Sequence, residues 1–349
     1  MAKKVDESKS KKTEGLQQGF SGTDLTKKLL KDFGEDQVLS GDLSVKGMPF
    51  GVVSLDKQIG TLGGGIPIGR ITEIYGDFAT GKSLLGLMAI ASTQAKGGIG
   101  VLIDTEQAFN PDRAAELGVD TEQITVLTPS SQEQCYEMIL AIVEMAKAEN
   151  GERLVTIVWD SVSALASEYE IEKGVGAANM ASNARVNSAA LKQITGPLAK
   201  YKVTLILINQ IRSKIGVMFG QDWDTTGGKS IKYYASLRMH CKMTRQIKEG
   251  DKDSDVIGMS GVVEITKNRF SAPFRKVSLE LFFEGGIKKF SGLFDYLVNT
   301  KQLKPGLTKE GTPKSGFYSL EGVKETFSEN TFEGVIQNYP EVLARIEAN

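Results

Sequence analysis

The strongest indication of the fold of this chain is the motif Gly76-Asp77-Phe78-Ala79-Thr80-Gly81-Lys82-Ser83. It fits the pattern G-x-x-x-x-G-K-[ST], in which glycines let backbone N–H groups close around phosphate oxygens. An alternating segment at 70–75 precedes it and predicts a strand, and apolar residues at helical spacing follow it at 84–95. Strand, loop and helix N-terminus together predict a nucleoside triphosphate site, with Lys82 on the β- and γ-phosphates and the Ser83 hydroxyl on Mg²⁺.

The composition is ordinary for a globular protein. Of the 349 residues, 40% are hydrophobic and 24% are charged, and the length allows one large domain and a smaller one. The net charge of −1 argues against a basic surface spread over the whole protein, although it is compatible with a local basic groove. Cys135 and Cys241 lie far apart in the sequence, which predicts two reduced core residues rather than a metal site.

Apolar runs in this chain are too short for a membrane helix. None approaches the ~18 apolar residues that a membrane span requires, and the N-terminus has no apolar signal core. The sequence therefore predicts a cytoplasmic protein with no membrane partner.

Two carboxylates follow predicted strands. The strand at 99–103 leads to Glu106, and the near-continuous apolar run at 154–159 ends in Asp160. Because α/β sheets bind ligands at the carboxyl ends of their strands, Glu106 could activate an attacking water, or it could merely cap the next helix. An apolar run with a terminal aspartate is the Walker-B pattern, so we expect Asp160 to hold Mg²⁺ directly or through water.

A third buried strand, at 203–208, ends in Asn209 and Gln210. An amide at this position can sense the γ-phosphate, because its hydrogen bond exists only with the triphosphate. Residues 211–228 then form a long segment with basic and aromatic side chains and four glycines. They predict either a structureless loop that binds single-stranded nucleic acid or an ordinary mobile loop. A smaller segment at 173–181 resembles it, and the two could face a common axis.

The ends of the chain differ in character from the central region at 45–285. Residues 1–20 have the polar, lysine-bearing composition of a disordered tail. Residues 21–44 predict a helix at 23–33 and a loose linker. The apolar stripe of this helix could cover its own domain or dock on a neighbouring subunit. Short aromatic-bearing segments at 286–349 predict a small α+β domain.

Charged residues on the later strands allow more than one interpretation. His240 alternates with the apolar face of its strand, which predicts a solvated surface residue rather than a catalyst. Lys267 and Arg269 flank Asn268 after another strand and could pair with phosphate or with carboxylates.

Several stretches beyond the phosphate loop resemble the bacterial RecA recombinase family, and several are specific to that family rather than to P-loop ATPases in general. The resemblance covers residues 21–300 and, more loosely, the remainder. The stretches are Gly65-Ile66-Pro67-Ile68-Gly69-Arg70, Ile103-Asp104-Thr105-Glu106, Asp160-Ser161-Val162-Ser163-Ala164-Leu165, Ile208-Asn209-Gln210-Ile211-Arg212, Lys214-Ile215-Gly216-Val217-Met218-Phe219-Gly220, Thr225-Thr226-Gly227-Gly228, and Lys267-Asn268-Arg269 with Ala272-Pro273-Phe274.

This resemblance implies a RecA-type P-loop ATPase core of the α/β class. The core would have a mainly parallel central sheet flanked by helices, with an N-terminal oligomerisation helix at 23–33 and a small α+β C-terminal domain that receives duplex DNA. The implied function is ATP-dependent homologous pairing and strand exchange with DNA-stimulated ATP hydrolysis. Such a protein polymerises head to tail as a helical filament on single-stranded DNA, pairs it with homologous double-stranded DNA, and holds ATP and Mg²⁺ between adjacent subunits.

The family pattern also assigns roles to residues of this chain. Residues 76–83 would bind the triphosphate, Asp160 would hold Mg²⁺, Glu106 would activate water and Gln210 would sense the γ-phosphate. Segments 173–181 and 210–228 match the two DNA loops. The DNA contacts expected from this match are Met180, Arg185, Arg212, Lys214, Ile215, Gly216, Val217, Met218, Phe219, Gly227 and Gly228.

Several positions depart from the family pattern. Asn110 and Arg113 stand near the expected adenine, where bacterial members commonly have Asp and Tyr, although an arginine can still stack on a base. Lys267 and Arg269 match the pair that reaches ATP from the neighbouring subunit, but Arg269 replaces the usual second lysine. Trp223 is unusual inside the second DNA loop and could add a stacking surface. These departures suit a divergent or phage-encoded member.

Two rival functions share parts of the pattern. A ring-shaped DNA motor would need a subunit linker and an arginine finger, whereas Lys267 and Arg269 fit the filament version. A regulatory paralogue would bind DNA or a recombinase without exchanging strands. The intact Lys82, Glu106 and Asp160 count against that second rival.

Overall fold

Apolar strands that alternate with helices produce a layered α/β architecture. The computed structural model describes residues 21–34, 44–174, 180–213, 223–250, 254–308 and 311–348. Within these ranges, no helix is long and apolar enough to cross a membrane. The helices are α1 (Gly22–Phe33), α2 (Val53–Ile59), α3 (Lys82–Ala95), α4 (Pro111–Glu116), α5 (Gln132–Ala148), α6 (Glu168–Lys173), α7 (Met180–Lys200), α8 (Lys229–Tyr234), α9 (Leu293–Asn299), α10 (Glu329–Ile336) and α11 (Pro340–Ala348). The strands are β1 (Gly47–Met48), β2 (Ile66–Pro67), β3 (Ile71–Gly76), β4 (Ile99–Asp104), β5 (Thr125–Leu127), β6 (Val155–Asp160), β7 (Val203–Ser213), β8 (Trp223–Thr225), β9 (Leu237–Lys248), β10 (Val256–Asn268), β11 (Arg275–Phe282), β12 (Gly286–Ile287), β13 (Lys304–Leu307) and β14 (Pro313–Ser319).

One large sheet contains most of these strands. Its order is β12-β11-β10-β9-β3-β7-β6-β4-β5, with β8 paired to the end of β7. From β9 to β5 along this order the strands run parallel, whereas β10, β11 and β12 are antiparallel. This arrangement confirms the predicted mainly parallel sheet flanked by helices.

Apolar layers cover both faces of the sheet. On one face Ile74 and Val158 pack with Leu85 of α3. On the other face Trp159 packs with Leu191 of α7, and α5 belongs to the same layer. Because successive side chains of a strand point to opposite faces, a near-continuous apolar run such as β6 is the signature of a strand covered on both sides.

The N-terminal helix belongs to a unit of its own, because the chain divides into two units between Ser44 and Val45. The Ser21 side chain caps α1 by accepting a hydrogen bond from a first-turn N–H at 3.1 Å, and Gly34, at φ 81°, ends the helix. The helix predicted at 23–33 is therefore confirmed. The predicted tail at 1–20 and linker residues 35–43 lie outside the described residues.

The C-terminal residues contain an apolar cluster beside the antiparallel pair β13–β14. Leu293 and Leu297 of α9 pack there with Phe327 and Phe332. Val53 of α2 belongs to the same cluster, so this part of the chain rests on the core. The division of this unit into domains at residue 285 stays a prediction.

The prediction of a structureless segment at 211–228 is wrong for its described ends. Residues Ile211–Ser213 extend β7 and pair with β8 in the register Ile211↔Thr225 to Ser213↔Trp223. The local sequence did not predict this short ladder, because polar residues and glycines are not typical of strands. Its pairing also joins residues ten or more positions apart. Residues 214–222 lie outside the described residues.

His240 is also placed differently from its prediction, because it is only 3% exposed. Its strand lies inside the sheet, and its ring stacks on Tyr75 at 4.8 Å between centroids and packs against Trp223 at 4.6 Å. Burial lowers the pKa of His240 to about 4, so its ring is neutral near pH 7. The alternation of apolar and polar residues along β9 could not predict that Trp223 covers His240.

A buried ion pair joins β3 to β9. The Glu73 side chain is 0% exposed and accepts a hydrogen bond from Arg238 Nε at 2.5 Å through one oxygen. Its other oxygen accepts one from Asn209 Nδ2 at 2.9 Å. A carboxylate in the middle of a buried strand needs such partners, because removing its charge from water costs several kcal/mol.

We expect Arg238→Met to lower the free energy of unfolding by about 3 kcal/mol, because it leaves the Glu73 carboxylate buried without its cation. Lys242→Met is the matched control on the same strand. Lys242 pairs with Glu264 at 2.8 Å, but its side chain is 44% exposed, and loss of such a surface pair should cost less than about 1 kcal/mol. Urea unfolding followed by circular dichroism measures both losses, and equal losses would contradict this interpretation.

Candidate functional site

The phosphate loop connects β3 to α3 at the carboxyl edge of the sheet. Gly76 ends β3 in register with Gln210 of β7 and Cys241 of β9. A Cβ on Gly76 would meet the Cys241 carbonyl oxygen at 2.3 Å, so only glycine fits this close approach of two backbones. Gly81 precedes α3 at φ 82°, a left-handed conformation that favours glycine. Backbone geometry therefore explains both glycines of the motif.

Lys82 lies within the loop that the sequence predicts to receive the phosphates. Its side chain is 7% exposed, and Nζ donates hydrogen bonds to the Asp77 carbonyl at 2.5 Å and to Thr80 Oγ1 at 3.5 Å. Burial lowers the pKa of Lys82, and the nearby Asp160 and Glu106 carboxylates oppose that shift. The ammonium is thus held by neutral oxygens of its own loop, with acidic groups at longer range.

Ser83 and Asp160 meet at the end of β6. The Ser83 side chain lies near the Asp160 carboxylate and lowers its pKa. Burial, with a smaller contribution from the Glu106 charge, raises the pKa of Asp160 to about 6 against the opposing effects of Ser83 and Lys82. A divalent cation would relieve this concentration of negative charge, and hydroxyl and carboxylate oxygens are ligands that Mg²⁺ prefers. These two residues therefore fit a magnesium ion.

Glu106 follows β4 and is exposed at the same edge. Its Oε1 accepts hydrogen bonds from Ser161 Oγ at 2.6 Å and from Gln210 Nε2 at 3.2 Å. The next helix is capped by another residue, since Asn110 Oδ1 accepts a hydrogen bond from Arg113 N at 3.0 Å. The helix-cap interpretation of Glu106 is therefore wrong.

The turn that carries Glu106 is fixed to β6. Thr105 N donates to the Asp160 carbonyl at 2.9 Å, and Thr105 Oγ1 donates to the Ser161 carbonyl at 2.8 Å. The Asp104 carboxylate accepts hydrogen bonds from two N–H groups of the following turn at 3.2 and 2.9 Å. Sequence reasoning missed Ser161 as a partner of Glu106, although a hydroxyl directly after the Walker-B aspartate was a visible signal.

Lys267 and Arg269 lie away from the phosphate loop. Lys267 is in register with Arg238 near the amino end of β9, whereas the loop follows the carboxyl end of the parallel strand β3. Lys267 Nζ donates to two carbonyls in the last turn of α8 at 2.7 and 2.8 Å, and Arg269 Nη2 donates to one of them at 3.3 Å. Burial and the Arg269 charge lower the pKa of Lys267 to about 8. Lys267 and Arg269 therefore do not contact the phosphate loop of the same subunit.

Asn110 and Arg113 occupy the start of α4. The Asn110 side chain caps this helix. The Arg113 guanidinium pairs with Glu116 at 2.5 Å and donates to the Phe282 carbonyl at 3.2 Å. These contacts hold the guanidinium between α4 and β11. A role of the two residues at the adenine stays a prediction.

The predicted DNA contacts fall into several groups. Arg185 on α7 and Arg212 at the end of β7 are exposed. Gly227 and Gly228 adopt φ 81° and 84°, and a Cβ on either would meet atoms of α7 at 2.7 and 2.8 Å, so they allow a close approach to that helix. Met180 begins α7. The other predicted contacts lie outside the described residues: Lys214, Ile215, Gly216, Val217, Met218 and Phe219.

We expect Gly76→Ala to weaken ATP binding at least ~10-fold, because the added Cβ forces the loop away from β9 and disturbs the N–H groups that would face the phosphates. Gly196→Ala is the matched control, since a Cβ there meets nothing within 4 Å. Calorimetric titration with a non-hydrolysable ATP analogue measures both affinities. Wild-type affinity in the Gly76→Ala variant would show that this contact does not shape the site.

Comparison with known proteins agrees with this geometry. Residues 23–288 match the RecA N-terminal domain. The Protein RecA of Symbiobacterium thermophilum is 34% identical over 322 residues, which cover 91% of this chain and 87% of that relative. The Protein RecA of Fusobacterium nucleatum is 34% identical over 349 residues, covering 99% of this chain and 87% of that relative. The Protein RecA of Mycobacterium sp. strain KMS is 40% identical over 248 residues, covering 71% and 68%. The chain therefore belongs to the RecA family.

Proposed function

We propose that this protein uses ATP to assemble on single-stranded DNA and to exchange it with a homologous duplex, through the residues gathered at the carboxyl edge of the sheet. As a member of the RecA family, the chain is a recombinase and a DNA-dependent ATPase. One observation carries the assignment of residues. Glu106, beside the phosphate loop, is hydrogen-bonded to Gln210, from which the predicted DNA segment at 210–228 begins.

Nucleotide binding would use the phosphate loop and its flanking groups. The N–H groups of residues 76–83 and the α3 N-terminus would face the phosphates, and Lys82 would pair with the β- and γ-phosphates. Ser83 and Asp160 would hold Mg²⁺, which neutralises charge on the triphosphate when it is bound. Asp160 is suited to this role because its pKa of about 6 leaves it mainly ionised at neutral pH.

Glu106 would act as the general base for hydrolysis. The hydrogen bonds from Ser161 and Gln210 both use Oε1, so Oε2 can accept a proton from a water. The water oxygen forms a bond to the γ-phosphorus, the bond from that phosphorus to the β–γ bridging oxygen breaks, and the water proton passes to Glu106. Ser161 orients the carboxylate for this step.

Gln210 would couple the nucleotide to the DNA segment. Its side-chain amide donates to Glu106, and a γ-phosphate oxygen of bound ATP would compete for the same N–H. Moving the amide to the phosphate would shift the end of β7, which bears the exposed Arg212. The triphosphate and its hydrolysis products would thereby favour different arrangements of this segment.

Assembly would place complementary surfaces of successive subunits together. Lys267 and Arg269, which lie away from their own phosphate loop, are proposed to reach the ATP of a neighbouring subunit. Helix α1 is proposed to dock on a neighbour through its apolar stripe. Contacts to DNA would fall mainly on the backbone, so homology would be tested by base pairing between strands.

The test measures ATP hydrolysis with and without single-stranded DNA. We expect DNA to stimulate hydrolysis in the wild type, and Glu106→Gln to lower the stimulated rate at least ~100-fold, because general-base catalysis is lost. DNA binding in the presence of an ATP analogue should persist in the variant.

Glu122→Gln, the same change at a carboxylate elsewhere on the chain, is the matched control and should behave as the wild type. Hydrolysis that is indifferent to DNA in the wild type would overturn the proposed function. Retained hydrolysis in Glu106→Gln would overturn only the role of Glu106.

A further inference from the structure

Tyr75, His240 and Trp223 form an aromatic stack that joins β8 to the strand of the phosphate loop. We propose that Trp223 is a positioning residue for DNA-dependent hydrolysis: through His240, it fastens the far end of the predicted DNA segment to Tyr75, next to Gly76. This inference rests on the proposed function. It concerns residues that neither the phosphate-loop pattern nor the predicted DNA contacts include.

The geometry of the aromatic stack is close on every side. The Tyr75 and His240 rings are 4.8 Å apart with an interplanar angle of 16°, and Trp223 lies 4.6 Å from His240 and 5.8 Å from Tyr75. All three separations fall in the range where aromatic side chains attract one another. The Arg238 guanidinium lies 4.6 Å from the Tyr75 ring, and the Tyr75 hydroxyl is 2.9 Å from Thr266 Oγ1. Tyr75 is therefore a fixed support for the other two rings.

The start of the same segment, at Gln210, is also fastened to β3. Asn209 Nδ2 donates to Glu73 at 2.9 Å and to the Thr226 carbonyl at 3.0 Å. Asn209 Oδ1 accepts from the N–H of Gln210 at 2.9 Å and from the Thr226 hydroxyl at 2.5 Å. Both ends of the segment thus rest on two residues of β3, Glu73 and Tyr75, just before the phosphate loop.

The aromatic stack at Trp223 and the Asn209 hydrogen bonds should reduce the cost of ordering the segment when DNA binds. Strand β8 has only three residues, and so short a strand is weakly held by its ladder alone. If the aromatic stack were lost, this end of the segment would be held by fewer contacts, among them the β8 ladder, the Lys232–Asp224 ion pair and the Thr226 bonds to Asn209, and DNA binding would have to order more of it. Trp223 would therefore lower the cost of binding DNA without touching it.

Direct stacking of Trp223 on a DNA base is the competing explanation. In that case Trp223 would matter for DNA and His240 would not, because His240 is buried in the sheet. A double-mutant cycle separates the two explanations, since residues that act through one contact give non-additive effects.

The experiment measures the single-stranded DNA concentration that gives half-maximal stimulation of ATP hydrolysis. We expect Trp223→Ala and His240→Ala each to raise this concentration about tenfold, and the double variant to raise it no further. ATP binding and DNA-independent hydrolysis should stay at wild-type values. Trp223→Phe and His240→Phe keep aromatic rings at both positions and should restore most of the DNA response.

Three results would overturn the inference. The first is a raised half-maximal DNA concentration in Trp223→Ala but not in His240→Ala. The second is additive increases in the double variant, and the third is a wild-type response in all of these variants. Should His240→Ala fail to bind ATP, His240→Leu replaces it in the cycle, because leucine fills the buried space without an aromatic ring. Absence of DNA stimulation in the wild type would instead reject the proposed function, so the two failures are distinguishable.

Discussion

The parallel pairing of β3 with β7 places Gly76 beside Gln210, and the rest of the site depends on this register. The phosphate loop leaves one strand where the predicted DNA segment begins on the other. Pairing of β7 with β6 and of β6 with β4 then sets Asp160 and the turn before Glu106 at the same edge. Burial of both faces holds these registers, because a slip by one residue would turn every apolar side chain to the opposite face.

The two edges of the sheet suggest how subunits would fit together. The carboxyl edge holds Lys82, Asp160 and Glu106, and Lys267 and Arg269 lie away from it, where they bond to the end of α8. Different surfaces that bind one another make a head-to-tail interface, which produces open helical filaments when the rotation does not close. A filament would therefore complete each nucleotide site with cations from the next subunit, in keeping with the proposed function.

Local patterns predicted the parts of the structure that local chemistry determines. The apolar run before Asp160, the spacing of the phosphate loop and the helix at 23–33 each depend on residues close together in the chain, so sequence alone located them. The order of strands, the β7–β8 ladder and the burial of His240 depend on residues brought together from distant parts of the chain. Glu73 was also a signal in the sequence, since a carboxylate inside an apolar strand implies a buried partner such as Arg238.

The proposed coupling of nucleotide to DNA through Gln210 is tested by the affinity for DNA in two nucleotide states. Single-stranded DNA binding would be measured by fluorescence anisotropy with a non-hydrolysable ATP analogue and with ADP, for the wild type and for Gln210→Ala. We expect the wild type to bind DNA at least ~10-fold more tightly with the ATP analogue, as coupling energies of this kind usually allow. Gln210→Ala should bind DNA with similar affinity in both states. A preference in Gln210→Ala as large as in the wild type would contradict a coupling that passes through this amide.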